Sequence, residues 1–407
     1  MPFRELSIVD QREEFVMLAL RPDANKSELC RRFGLSRSKA YKWLSRYKLE
    51  ARAGLCDRSR RPHRSPTRTA IEIEAEVLRV RKSSNNAWGG RKIAHVLKLE
   101  GRVAAPAAST ITEILRRHGK LAPGEAEHPG PCQRFERSRP NELWQMDFKG
   151  DFATGAGRCH PLTVIDDHSR YALGVEACAT QQDRSTRERL MAVFRRYGLP
   201  DVMLMDNGSP WGDTGGGPFT AFGVWLLRLG VRVIHGRPYH PQTQGKDERF
   251  HRTLKAEVLQ GRCFSDIAQC QRAFDEWRHV YNHKRPHQAL DLATPGERYV
   301  ASRRCFPETL PPIEYGDGDS VRKADANGYI SFKNRRIRLG KPFAGQAVAL
   351  RPTSEDGVFS VHFCVHQIAA LDLKTIAPSA RGFVDIARAM PTSSTGQTTA
   401  TELSNRI

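Results

Sequence analysis

The sequence predicts a multidomain chain: all-α helix-turn-helix units at the N-terminus, an α/β core built on a mixed sheet, and a small C-terminal β-barrel. Three observations predict it. The 407 residues exceed one ordinary domain. The net charge of +20 is unevenly spread, with 30 Lys and Arg against 16 Asp and Glu in residues 1–140, a local +14. The apolar period changes from helical to alternating after Glu142, and to short turn-punctuated strands after residue 315.

Composition excludes several classes. Apolar residues make up 39%, enough for a core, but no run approaches the roughly 18 to 20 needed to span a bilayer. The start, MPFRELSIVDQREEF, is charged and lacks the apolar stretch of a secretion signal. Nine cysteines at irregular spacings, with no CxxC, imply reduced thiols in a cytoplasmic compartment. The basic charge points at nucleic acid. Basic ribosomal or membrane-surface proteins share it, so charge alone does not choose.

Residues 1–50 carry helix-turn-helix grammar. Ser27 is expected to cap one helix, Gly34 to make the turn and Ser36 to cap a second helix that buries Ala40 and Leu44. That second helix would present Arg37, Lys39, Lys42 and Arg46 to a major groove. Residues 51–69 read as an extended basic linker whose Arg58, Arg60 and Arg61 suit phosphates. Residues 70–120 repeat the pattern as a second helix-turn-helix-like domain, and 121–138 read as a linker.

The core spans 139–300. LWQMDFKG alternates like a strand, and PLTVIDDHSRYALGVEACA reads as a hairpin turning near Asp167. Helix, strand, helix, strand and helix follow, with VMLMDNG and VRVIHG as the strands, and an amphipathic helix closes the set over Ser265–His283. Residues 301–375 show short strands about an Asn327-Gly328 turn, hence the barrel. Residues 376–407 are polar and expected to be disordered.

Three acids stand out by position. Asp147 lies within the first core strand, Asp206 ends another, and Glu248 sits on a helix with Arg252 and Lys255 at i+4 and i+7. Carboxylates so placed can converge on Mg²⁺ or Mn²⁺, and two such ions about 3.5–4 Å apart suit phosphoryl transfer. The plainer reading is that solvated acids simply end strands. Asp247 points about 100° away from Glu248 around the helix. Asp166 and Asp167 read as a turn. Cys263, Cys270, His283 and His287 lack zinc-site spacing. No GxxxxGK[ST] occurs, so ATP is not implied.

WQMDF, the DNG at 206–208, YHPQTQGKDERFHRTLK and YNHKRPHQAL, with GLCDRSRRPHRSP upstream, resemble the bacterial insertion-sequence transposases of the DDE type, whose core is related to retroviral integrase. The likeness covers roughly residues 20–300, more loosely 315–360. It implies an RNase H-like fold with Asp147, Asp206 and Glu248 as the metal-binding, catalytic triad, and with Lys255 as the basic residue seven positions on. It also implies double-stranded DNA as partner, both element ends and target, and a homo-multimer on DNA in the bacterial cytoplasm, at the nucleoid. One departure is the 41 residues between Asp206 and Glu248, more than the family's common spacing. The glycine-rich loop 210–218 can hold the surplus.

The expected activity is therefore metal-dependent cleavage at terminal repeats and strand transfer. Its rival is a catalytically inactive DNA-binding regulator of the same descent, against which the intact triad argues. A structure-selective nuclease would have no use for two sequence-reading units. A tyrosine recombinase would need an Arg-His-x-x-Arg and tyrosine set that is missing.

Overall fold

The computed structural model describes residues 7–59, 68–121, 136–212, 219–236, 245–374 and 384–385. They form two compact units, divided between Thr69 and Ala70.

In the first unit three helices, α1 (Ile8–Ala19), α2 (Lys26–Arg32) and α3 (Arg37–Glu50), enclose Phe15, Val16, Ala40, Trp43 and Leu44. Asn25, not Ser27, caps α2, because its side-chain oxygen accepts from the N–H groups of Ser27 and Glu28 at 3.1 and 3.2 Å. Ser36 caps α3 as expected, and Gly34 makes the turn at φ +62°. The stretch read as linker contributes to this core first. Residues 51–55 form a 3-10 turn whose Leu55 is fully buried, and Arg12 donates to its carbonyl at 2.7 Å.

The second unit opens with α4 (Ile71–Ser83), α5 (Gly90–Glu100) and α6 (Ala108–Arg117), packed around Val77, Val80, Ile93, Leu97, Ile111 and Ile114. A Cβ on Gly90 would sit 2.3 Å from the Ala108 carbonyl oxygen, so glycine lets α5 and α6 touch. No hydroxyl caps α6, which starts behind Ala107.

The core sheet comprises β1 (Leu143–Phe148), β2 (Phe152–Thr154), β3 (Gly157–Asp166), β4 (Ala172–Cys178), β5 (Val202–Met205) and β6 (Arg232–His235). Its order is β2-β3-β1-β5-β6, with β4 a third partner of β3. The pairs β1/β3, β2/β3 and β3/β4 are antiparallel, and β1/β5 and β5/β6 are parallel, so the sheet is mixed as predicted. Helices α7 (Asp183–Tyr197) and α8 (Ala221–Arg228) pack with Trp144, Met146 and Met205. Helices α9 (Gly245–Leu254) and α10 (Ile267–His283) pack with Ile165, Ala172 and Val175. Since strand side chains alternate, Gln145 and Asp147 face away from the Trp144 cluster, toward α9.

After the short helix α11 (Pro295–Arg298), the C-terminal part has two small sheets around one core, and among the described residues they do not close into the small barrel expected. Strands β7 (Ser320–Lys323), β10 (Ala347–Pro352), β11 (Val358–Phe363) and β12 (His366–Asp372) make one. Strands β8 (Tyr329–Phe332), β9 (Arg335–Arg338) and β13 (Val384–Asp385) make the other. Among the described residues no ladder joins them. Asn327-Gly328 links strands of different sheets, and the hairpin turn falls at Lys333-Asn334, both at positive φ. Of the predicted tail only residues 384–385 are described. Among the described residues no helix is long and apolar enough to cross a membrane.

The α4–α6 layer is fastened to the core by one buried acid. Glu257 lies in a π-helical turn, Lys255–Leu259, that continues α9. Its carboxylate accepts from Trp88 Nε1 at 3.1 Å, Trp277 Nε1 at 2.8 Å and Arg285 Nε at 2.9 Å. Asn85 adds two bonds to the Ala256 and Gln260 carbonyls. Burial, together with nearby Arg285, lowers Lys92 to about 8 beside this junction. Removing the acid would strand three buried donors, one of them charged. Glu257→Ala is expected to destabilise the chain by about 3–5 kcal/mol in denaturant unfolding, whereas an exposed acid such as Glu355 should cost less than about 0.5 kcal/mol.

Candidate active site

Strand β1 runs parallel to β5 with Leu143 beside Val202 and Gln145 beside Leu204. Two residues further in that register Asp147 comes level with Asp206, directly after β5. The sheet thus sets two carboxylates at neighbouring strand ends. Burial, and then the charge of Asp206, push the Asp147 carboxyl up to about 7, against a donated Phe148 N–H that lowers it.

Asp206 is held from its own loop. Its Oδ1 accepts from the Gly208 N–H at 3.0 Å and from Trp211 Nε1, whose ring stacks on Phe148 at 5.2 Å. A Cβ at Gly208 would approach Asp206 Oδ2 to 2.9 Å, so glycine keeps that oxygen clear. His235 Nδ1 lies 2.8 Å from the Asp206 carbonyl oxygen. Two hard oxygen donors set side by side, one raised by burial and by the charge of the other, are a donor set that fits a divalent cation.

Helix α9 crosses this edge. Its Glu248 is exposed, as are Arg252 and Lys255. Asp247 turns inward instead, at 2% exposure, and burial, Asp147 and Asp167 push its carboxyl well up. Its Oδ1 and the Oε1 of buried Gln145 have no hydrogen-bond partner among the described residues. The structure therefore brings Asp147 and Asp206 together and leaves Glu248 at the rim. Among the described residues, no three acids, histidines or cysteines converge closely enough to hold a metal ion.

Around these acids lie residues that the sequence reading passed over. Lys246 donates from Nζ to Asp167 Oδ1 at 2.5 Å, and Asp167 also accepts from Gln145 Nε2 at 2.7 Å and the Arg137 N–H at 2.8 Å. The Asp166–Asp167 pair is thus part of the frame, with Asp166 accepting from Ser169 and Asn141. Lys149 follows β1, and burial, with the charge of Lys255, lowers its ammonium. His251 sits with Nδ1 3.9 Å from Asp147 Oδ2, and burial drives it down to about 4. Helical spacing could have flagged His251, three residues past Glu248; Trp211 and Asp167 meet the site through folding alone.

On the first unit, Arg37, Lys39 and Lys42 are exposed on α3, and Arg37 Nη2 donates to Ser27 Oγ at 3.1 Å. Lys42 and Arg46 flank the Trp43 ring at 4.9 and 5.2 Å. Arg58 is paired with Glu50. Arg60 and Arg61 lie outside the described residues, as do parts of the glycine-rich loop (213–218) and the segment 237–244.

Known families match this chain in the order of its parts. A helix-turn-helix domain matches residues 11–63 and a homeodomain-like domain residues 39–115. Two integrase core domain families match 137–241 and 229–295, and the IS481 family transposase, C-terminal domain, matches 319–378. An uncharacterized 39.2 kDa protein of insertion element IS476 from Xanthomonas euvesicatoria is 29% identical over 185 residues, 45% of this chain and 49% of that protein. The transposase for insertion sequence element IS904 from Lactococcus lactis is 26% identical over 166 residues, 40% of this chain and 63% of that protein. The chain spans about half the length of the first of these relatives. Among solved structures, the catalytic core domain of BIV integrase is 23% identical, covering 39% of this chain and 92% of that one at a TM-score of 0.30.

The Asp147–Asp206 pair makes a pH-dependent demand on stability. Between about pH 4 and pH 7 the folded chain keeps a proton on Asp147 that an unfolded carboxyl, near 3.8, has lost. Stability from this group therefore falls as pH rises through that window and levels off above it. In EDTA, wild type should lose unfolding midpoint across this range relative to Asp147→Asn; parallel curves for the two proteins would refute the raised carboxyl.

Proposed function

We propose, for a chain that belongs to the DDE-type insertion-sequence transposases with a retroviral-integrase-like core, that it binds the terminal repeats of its mobile element, cleaves there and joins the freed 3′-hydroxyl to target DNA. The observation that carries this reading is the coupled carboxylate pair at the ends of two parallel strands. Asp147 and Asp206 would hold one cation, and Glu248, entering from the first turn of α9, would complete the second position. The chemistry that two Mg²⁺ or Mn²⁺ ions supply when bound is charge stabilisation at the attacking and leaving oxygens of an in-line displacement at phosphorus.

The chain's own residues do the rest. Lys149, at the end of the strand that carries Asp147 and near Lys255, and the exposed Arg252 and Lys255 beyond Glu248 offer positive charge suited to the flanking phosphates. Arg37, Lys39, Lys42 and Arg46 would read element ends from α3, with Arg58, Arg60 and Arg61 on the backbone beyond. Cleavage and joining are both displacements at phosphorus, so one site can serve both. Two element ends must be held together, which calls for a homo-multimer on DNA. Neither step needs ATP.

The test is cleavage and strand transfer on labelled element-end DNA, with Mg²⁺, Mn²⁺ or EDTA. Asp206→Asn should lose at least about 10³-fold in rate with DNA binding intact. Glu248→Gln should lose comparably, while isosteric Asp247→Asn should retain activity; the reverse order would move the third ligand to Asp247. Binding without cleavage in any metal would favour the regulator.

A further inference from the structure

The acid at the end of β1 is braced by a side chain that neither the motif nor the charge pattern singles out. Asp147 and Thr163 are cross-strand partners between β1 and β3. The Thr163 hydroxyl lies 3.0 Å from the Asp147 carbonyl oxygen and 2.8 Å from His251 Nε2. A hydroxyl has one proton, and a carbonyl can only accept, so that proton goes to the Asp147 carbonyl. Thr163 Oγ must then accept from His251, which places the ring proton on Nε2. Nδ1 is left with its lone pair, facing Asp147 Oδ2 at 3.9 Å. That gap is too wide for a direct hydrogen bond and admits a shared water.

We propose that His251 is a positioning residue of the cation site. Through Thr163 it locks the main chain that carries Asp147, and through Nδ1 it orients the water shell on that carboxylate. The relay also ties α9 to β1, and so sets where Glu248 stands relative to the two strand-end acids. This inference rests on the reading of Asp147 and Asp206 as cation ligands. Partners that orient a ligand from behind typically change metal affinity 10–100-fold when removed.

The test is titration calorimetry of Mn²⁺ into the full chain without DNA, paired with unfolding midpoints. Thr163→Val, which removes only the hydroxyl link, and His251→Ala should each weaken Mn²⁺ binding about tenfold or more. His251→Gln, which can still donate to Thr163 from its amide, should recover much of the Thr163-dependent part. Asp147→Asn is the reference. If it binds Mn²⁺ as wild type does, the cation-site reading fails and this inference with it. If Asp147→Asn abolishes binding while Thr163→Val and His251→Ala bind like wild type, the inference alone is overturned. Loss of affinity in Thr163→Val at an unchanged unfolding midpoint supports positioning, and a fall in midpoint with no change in affinity means that the relay merely holds the fold.

Discussion

Everything around the candidate site follows from one awkward constraint: two carboxylates are carried to the same edge by the parallel pairing of β1 with β5. Like charges so placed repel, and partial burial makes the repulsion worse. The neighbourhood compensates with fixed donors rather than with a cationic partner. Trp211 and Gly208 occupy one oxygen of Asp206, and Phe148 donates to Asp147. Positive charge stands nearby on Lys149 and Lys255, without closing onto either acid. The result is a pair kept in place at a cost, as the cation site proposed above would require.

Much of this was legible beforehand. The change from helical to alternating period after Glu142 located the sheet, because successive strand side chains point to opposite faces and so leave a period of two in the sequence. Asp147 and Asp206 were legible because each interrupts or ends an apolar run, where an acid needs a reason. Caps were legible only in part. Ser36 does what its position suggests, but Asn25 wins over Ser27 because its side chain reaches two free N–H groups at once. In the C-terminal part the strands and their turn were legible, but not which strands pair. Asn327-Gly328 is a strong turn signal, yet Gly328 is wanted for its φ of +79° and for space, since a Cβ there would meet the Gly340 carbonyl oxygen at 1.9 Å. The turn therefore links two sheets, and Lys333-Asn334 makes the hairpin.

What could not be read was tertiary. Asp167 is distant from Lys246 in sequence, and Trp88 from Glu257, and no periodicity reports such meetings. Asp247 and Glu248 show the limit most sharply. Helical geometry says that they point apart, but only the packing of α9 on the sheet decides which is turned inward. The buried one pays in a raised carboxyl and an oxygen without a hydrogen-bond partner among the described residues.

Glu257 has a consequence for scale. It joins the α4–α6 layer to the same helix that carries Glu248, with Trp88 on one side and Trp277 and Arg285 on the other. Two surfaces bolted to one frame keep a constant span. On the function proposed above, a duplex gripped by the helical layer would meet the acids at a fixed offset, so the fold would act as a ruler. The position of the scissile bond would then be counted from the gripped sequence by the length of the protein between them.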